Sequence, residues 1–81
     1  MNVRVQFYAQ FRDVIGIHEL ELELPQGATV RELLEKIYAQ RPALRVHDKS
    51  IVVGAGLEFV DRNYKLNQGE EIAIMPPVQG G

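Results

Sequence analysis

Polar and apolar residues alternate along the first stretch, VRVQFYA, with Val3, Val5 and Phe7 on one side and Arg4, Gln6 and Tyr8 on the other. Period two over that length predicts a half-buried β-strand beginning almost at residue 1. The segment after it, QFRDVIG, is short and fits about one helical turn ending at Gly16. Alternation returns in IHELELELP, where Leu20, Leu22 and Leu24 are expected inward, Glu19, Glu21 and Glu23 outward, and Pro25 and Gly27 close a turn. The period then changes. In TVRELLEKIYAQRP, Val30, Leu33, Leu34 and Ile37 recur at helical spacing, Thr29 and Glu32 form a capping box, and Pro42 bars continuation. Residues Ala43 to Lys49 are polar and aperiodic and read as a loop. SIVVGAG and LEFV predict two short strands, turn chemistry recurs at Asp61–Asn63 and Asn67–Gly69, and EIAIM predicts a last strand with Ile72 and Ile74 inward and Ala73 and Met75 outward.

Two strands, one good helix and further short strands imply an α+β fold with a mixed sheet and the helix packed across it. With the last strand inserted beside the first, this is the β-grasp, or ubiquitin-like, arrangement. Residues 1–75 are expected to form that domain and residues 76–81 an extended C-terminal tail.

Composition narrows the function. The 81 residues are 46% hydrophobic and 25% charged, which suits one small globular domain. Nine basic side chains against eleven acidic ones give a net charge of −2, without the basic footprint of a nucleic-acid or anionic-membrane partner. Cysteine is absent, which removes disulfides and thiol chemistry on this chain. No apolar run approaches a membrane span and no signal sequence opens the chain, so a cytoplasmic location is expected.

Catalytic machinery is hard to find. His18 is expected in a strand and His47 in a polar loop, neither beside a nucleophile; Ser50 is the single serine. Two histidines without a patterned third ligand do not make a metal site. Gly54 and Gly56 precede a strand rather than open a helix, so they read as turn glycines and not as a phosphate loop. Glu70 and Glu71 are adjacent in a strand and point to opposite faces. No cofactor is expected on the chain itself.

The ending, MPPVQGG, is more specific. Residues 72–81 carry no charged side chain. Pro76 and Pro77 enforce an extended path, and six residues from Pro76 reach roughly 20 Å. Val78 offers an apolar anchor. Gly80 and Gly81 lack Cβ atoms, so their backbone passes a channel closed to other residues. What such a tail delivers is the unhindered α-carboxylate of Gly81, which another protein can activate as an acyl-adenylate.

On these residues the chain resembles the MoaD branch of the MoaD/ThiS ubiquitin-like carriers, the small sulfur-carrying subunits of molybdopterin synthase. VRVQFYAQFRDVIG fits the family's opening, LPQGATVRELLEKI its helix start, and LNQGEEIAIMPPVQGG its ending, where Pro-Pro-Val before Gly-Gly is the specific part. Glu70 stands where the family usually has Asp, and Gly56 where it usually has Asn; both changes preserve the local chemistry. The resemblance implies a noncatalytic carrier. An E1-like enzyme would adenylate Gly81 with ATP, and a sulfur-donor enzyme would supply the sulfur of a thiocarboxylate. The large catalytic subunit would use that sulfur on cyclic pyranopterin monophosphate to build molybdopterin. The family's docking face maps onto Tyr8, Phe59 and Met75; Glu70, Glu71 and Arg12 read equally well as its polar rim or as solvated surface charges. Two alternatives remain open from the same residues: a protein modifier joined through Gly81 to lysines, and a passive β-grasp interaction module. Pro76-Pro77 disfavours the thiamine-branch carriers.

Overall fold

The structure is a computed structural model that describes residues 1–77, so the expectations placed on Val78, Gly80 and Gly81 lie outside the described residues. The elements run β1 (Asn2–Phe7), α1 (Gln10–Ile15), β2 (Glu19–Glu23), α2 (Val30–Gln40), a 3-10 helix (Pro42–Ser50), β3 (Val52–Ala55), β4 (Glu58–Val60) and β5 (Glu71–Met75). The five strands make one sheet in the order β2-β1-β5-β3-β4. β5 lies parallel to β1, with Val5 opposite Ile72 and Phe7 opposite Ile74, while the other pairs are antiparallel. This is the expected β-grasp: the final strand enters the centre of the sheet beside the first.

Strand alternation decides which face is covered. Val3, Val5, Phe7, Leu22, Val53, Ile72 and Ile74 are buried on the inner face beneath Val30, Leu33, Leu34, Ile37 and Tyr38 of α2. Each large aliphatic or aromatic side chain so enclosed contributes about 1.5–3 kcal/mol by leaving water. Leu20 is only half-buried, because β2 is an edge strand.

The start of α2 is held from two directions. The capping box forms as predicted: Thr29 Oγ1 accepts from the Glu32 N–H at 3.4 Å and the Glu32 carboxylate accepts from the Thr29 N–H at 3.1 Å. The Val30 and Arg31 N–H groups donate to the carbonyls of Tyr64 and Arg62, each at 3.0 Å. Long-range partners thus satisfy donors that a helix start otherwise leaves open.

Three local expectations are corrected. Ala43–Lys49 is not an irregular loop but lies within the 3-10 helix, entered through Pro42 and anchored by buried Leu44. One buried residue in nine leaves no periodicity to read. His18 is not in β2 but in the bend before it, its carbonyl accepting from the Phe7 N–H at 2.9 Å. Gly54 is a buried strand residue of β3 rather than a turn glycine, whereas Gly56, at φ +63°, does occupy the β3–β4 turn.

Tyr38 and Asp48 tie α2 to the 3-10 helix. The Tyr38 hydroxyl donates to the Asp48 carboxylate at 2.5 Å, and Arg62 donates to the Asp48 and Ile51 carbonyls at 2.8 and 3.2 Å. Burial, reinforced by the Asp48 hydrogen bond, raises the Tyr38 phenol well above its ordinary range. The folded state therefore favours the neutral phenol, and that stabilisation is complete below the unfolded value near 10 and lost as pH rises beyond it. Unfolding free energy in urea is expected to fall above about pH 10 more steeply for the wild type than for Tyr38→Phe, by up to about 1.4 kcal/mol per pH unit. Parallel pH profiles for the two proteins would refute this.

Candidate functional site

α2 covers the inner face of the sheet, and the outer face carries the predicted site. β5 passes directly into Pro76, half-buried, and Pro77, exposed, so the tail leaves from the centre of the sheet beside the end of β1. The Tyr8 N–H donates to the Ile74 carbonyl at 3.0 Å, which fixes that junction. Immediately beyond it Ala9 has φ +52° and ψ −135°, and the Phe11 N–H closes the turn onto the Tyr8 carbonyl at 3.1 Å. A residue with a Cβ in this region stores strain of about 1–3 kcal/mol. Buried Phe11 on one side and the β1–β5 pairing on the other hold it there.

The structure brings Tyr8, Phe59 and Met75 onto this outer face. Tyr8 is 40% exposed and Phe59 69% exposed, while Met75 is half-buried. Alongside Tyr8 and Met75, and ending at Phe59, a row of residues crosses the sheet. Gln6 lies opposite Ala73, Ala73 opposite Gly54 and Gly54 opposite Phe59. The two middle positions have almost no side chain, so the face sinks there into an open hollow of about 330 Å³. A Cβ added at Gly54 would stand 3.2 Å from the Met75 methyl carbon and 3.7 Å from the Ala73 Cβ. Leu57, fully exposed on the β3–β4 turn, lines the far side of the hollow.

Gly54 and Leu57 were not among the residues expected here. The signal for Gly54 is a glycine inside an apolar run, which marks either a turn or a close approach of another backbone. The signal for Leu57 is its position just after a turn glycine, where an apolar side chain has no core to enter.

Polar groups border the hollow on the β1 side. The Tyr8 hydroxyl donates to Gln6 Oε1 at 2.7 Å, and Gln6 Nε2 donates to Glu71 Oε1 at 3.0 Å. Arg4 sits 3.6 Å from Glu19 and 4.0 Å from Glu71, all of them about half exposed. Exposed pairs of this kind contribute little stability, at most about 1 kcal/mol; their role here is to hold the Tyr8 and Glu71 side chains in place.

The other expected rim residues divide. Glu71 lies on the face. Glu70 turns away and locks the preceding turn, accepting from the Asn67 N–H at 2.9 Å and from the Tyr64 hydroxyl. That carboxylate contact raises the Tyr64 phenol above its ordinary value. Arg12 donates through Nε to the Phe7 carbonyl at 3.4 Å. Of the histidines, His18 is exposed, and His47 packs edge-on against Phe11 with ring centroids 5.5 Å apart. Among the described residues no three His, Cys, Asp or Glu side chains gather as a metal site, and no helix is long and apolar enough to cross a membrane.

Comparison with known proteins adds to this geometry. The model of the ThiS family matches residues 5–81. The molybdopterin synthase sulfur carrier subunit of Chlamydomonas reinhardtii is 39% identical over 83 residues, spanning all of both chains. Among solved structures, a Pyrococcus furiosus protein described as a candidate molybdopterin converting factor subunit 1 superposes with a TM-score of 0.88. It is 29% identical and covers 96% of this chain and 99% of its own. SAMP1 of Haloferax volcanii superposes with a TM-score of 0.85 at 27% identity over the full length of both chains.

Proposed function

The chain belongs to the ThiS family, and on that premise we propose that it is the sulfur-carrying subunit of a molybdopterin synthase. The observation that carries this reading is the end-to-end likeness to the algal sulfur carrier subunit at 39% identity. The outer face adds support, because its apolar patch adjoins the strand from which the tail departs.

In the proposed cycle the carrier contributes a carboxylate and a surface, and its partners contribute the chemistry. The Gly81 carboxylate attacks the α-phosphorus of ATP on an E1-like enzyme, releasing pyrophosphate and leaving an acyl-adenylate. The terminal sulfur of a donor enzyme's persulfide then displaces AMP, which carries away one former carboxylate oxygen, and leaves an acyl disulfide. A second thiol of the partner attacks the donor-side sulfur, forms a disulfide with it and releases the C-terminal thiocarboxylate. Docked on the large subunit through Tyr8, Phe59 and Met75, the carrier threads Pro76–Gly81 into the catalytic site. Sulfur passes there to cyclic pyranopterin monophosphate, and water restores the carboxylate. Pro76 and Pro77 lower the entropy lost on threading, since their φ angles are already fixed. Gly80 and Gly81 give the reacting carbon access.

The test is the mass of the C-terminal peptide after incubation with ATP, the host's adenylating enzyme and its sulfur donor. One oxygen exchanged for sulfur at Gly81 is expected; an unchanged mass with all components active overturns the reading. A second reading, a protein modifier, is favoured by the likeness to SAMP1, known in full as small archaeal modifier protein 1. Branched peptides joining Gly81 to lysines of other proteins would establish it.

A further inference from the structure

We propose that the hollow over Gly54 receives a basic side chain of the large subunit, its methylene stem lying on Gly54 and Ala73 and its charged head meeting Glu71. The inference rests on the carrier reading and specifies how that docking face recognises its partner.

The hollow is graded along β5. Ala73 and Gly54 give its floor, with the Met75 methyl beside Gly54 on the tail-proximal side, and Glu71 stands at the other end. Alternate residues of a strand lie about 6.7 Å apart, so Glu71 stands about one extended side chain's length from the Ala73 floor. Tyr8 and Leu57 form the two walls. An apolar stem with a cationic tip fits that sequence of surfaces, as lysine and arginine do when the stem lies on apolar ground and the head reaches out. A purely aliphatic side chain would leave Glu71 desolvated without gaining a partner, which is unfavourable.

Charge points the same way. Glu71 lines the hollow, and beyond β1 the edge strand β2 adds Glu19, Glu21 and Glu23, opposite Gln6, Arg4 and Asn2, all four glutamates exposed. Arg4 does not saturate Glu71, since it stands 4.0 Å away and is shared with Glu19. Gln6 occupies one Glu71 oxygen at 3.0 Å. A carboxylate has about four acceptor positions, so room for a bidentate or single cationic donor remains.

Gly54 is what keeps the floor low. Its φ is ordinary, so alanine is conformationally permitted, and the added Cβ would crowd only the flexible end of Met75 and raise the floor.

The experiment measures binding of the host's large synthase subunit to the full-length wild type, Glu71→Gln and Gly54→Ala across a range of ionic strength, with melting curves for each. Glu71→Gln retains the Gln6 hydrogen bond but loses the charge. It is expected to weaken binding about tenfold at low salt and to flatten the salt dependence. Gly54→Ala is expected to weaken binding about tenfold with the salt dependence retained. Wild-type binding matched within twofold by both variants, with the same salt slope, overturns the basic-side-chain proposal and leaves the carrier reading standing. Absence of wild-type binding overturns the carrier reading and the proposal with it.

Discussion

Replacing Gly81 by alanine, or adding one residue after it, is expected to abolish sulfur transfer in a reconstituted synthase while leaving the melting curve unchanged. The added residue moves the reacting carbon from the end of the chain, so neither adenylation nor thiocarboxylate formation has its substrate. Alanine leaves the carboxylate in place but puts a methyl beside the carbon that must enter two partners' active sites. A displacement of about 1 Å at a reacting centre costs on the order of a hundredfold in rate, and a loss of that size is expected for Gly81→Ala. Gly80→Ala is expected to behave similarly, because the carrier reading requires residue 80 to pass the same narrow passage. The buried set of the described residues spans Val3 to Ile74, so unfolding in urea is expected to superimpose on wild type. Retained turnover in Gly81→Ala would remove the argument for a passage fitted to glycine. Turnover retained after the extension would go further and show that the terminal carboxylate is not the carrier group.

Much of the fold was legible because its periodicities are clean. Val3-Val5-Phe7 and Ile72-Ile74 alternate and fill one face, and Val30-Leu33-Leu34-Ile37 repeats at helical spacing above them. The 3-10 helix was not legible, because its single buried anchor, Leu44, sets no repeat. The support of α2 by Arg62 and Tyr64 was invisible for another reason. Those bonds use backbone carbonyls about 30 residues away, and a carbonyl carries no sequence signature. The site divides in the same manner. Alternation assigns Tyr8 and Met75 to an outward face and the family resemblance adds Phe59, whereas the hollow depends on the register that sets Gly54 between Ala73 and Phe59. A strand glycine and a turn glycine look alike until the pairing is known, and here the pairing puts the glycine on the outer face between Ala73 and Phe59.

Phe59→Asp and Met75→Lys are expected to weaken binding of the large subunit at least about thirtyfold while shifting the melting midpoint by no more than a few degrees. The contrast follows from where the side chains stand. Phe59 is 69% exposed on an edge strand, so the free protein loses little when its ring is replaced. Met75 is half-buried with its methyl against Gly54, and a lysine stem can keep that cover with its ammonium in water. In the proposed complex the same positions would be enclosed. An unpartnered charge trapped in a protein interface costs about 2–5 kcal/mol, and 2 kcal/mol is already about a thirtyfold change in the dissociation constant. Ile74, next to Met75 and fully buried, provides the internal comparison: Ile74→Ala should cost about 2–5 kcal/mol of stability through the cavity it leaves. If Phe59→Asp instead unfolded the protein as readily as Ile74→Ala, the outer face would be structural and the docking assignment wrong. If both charged variants folded normally and bound as wild type, the partner would have to approach elsewhere, and a tail leaving from the centre of this face would have no surface to steer it.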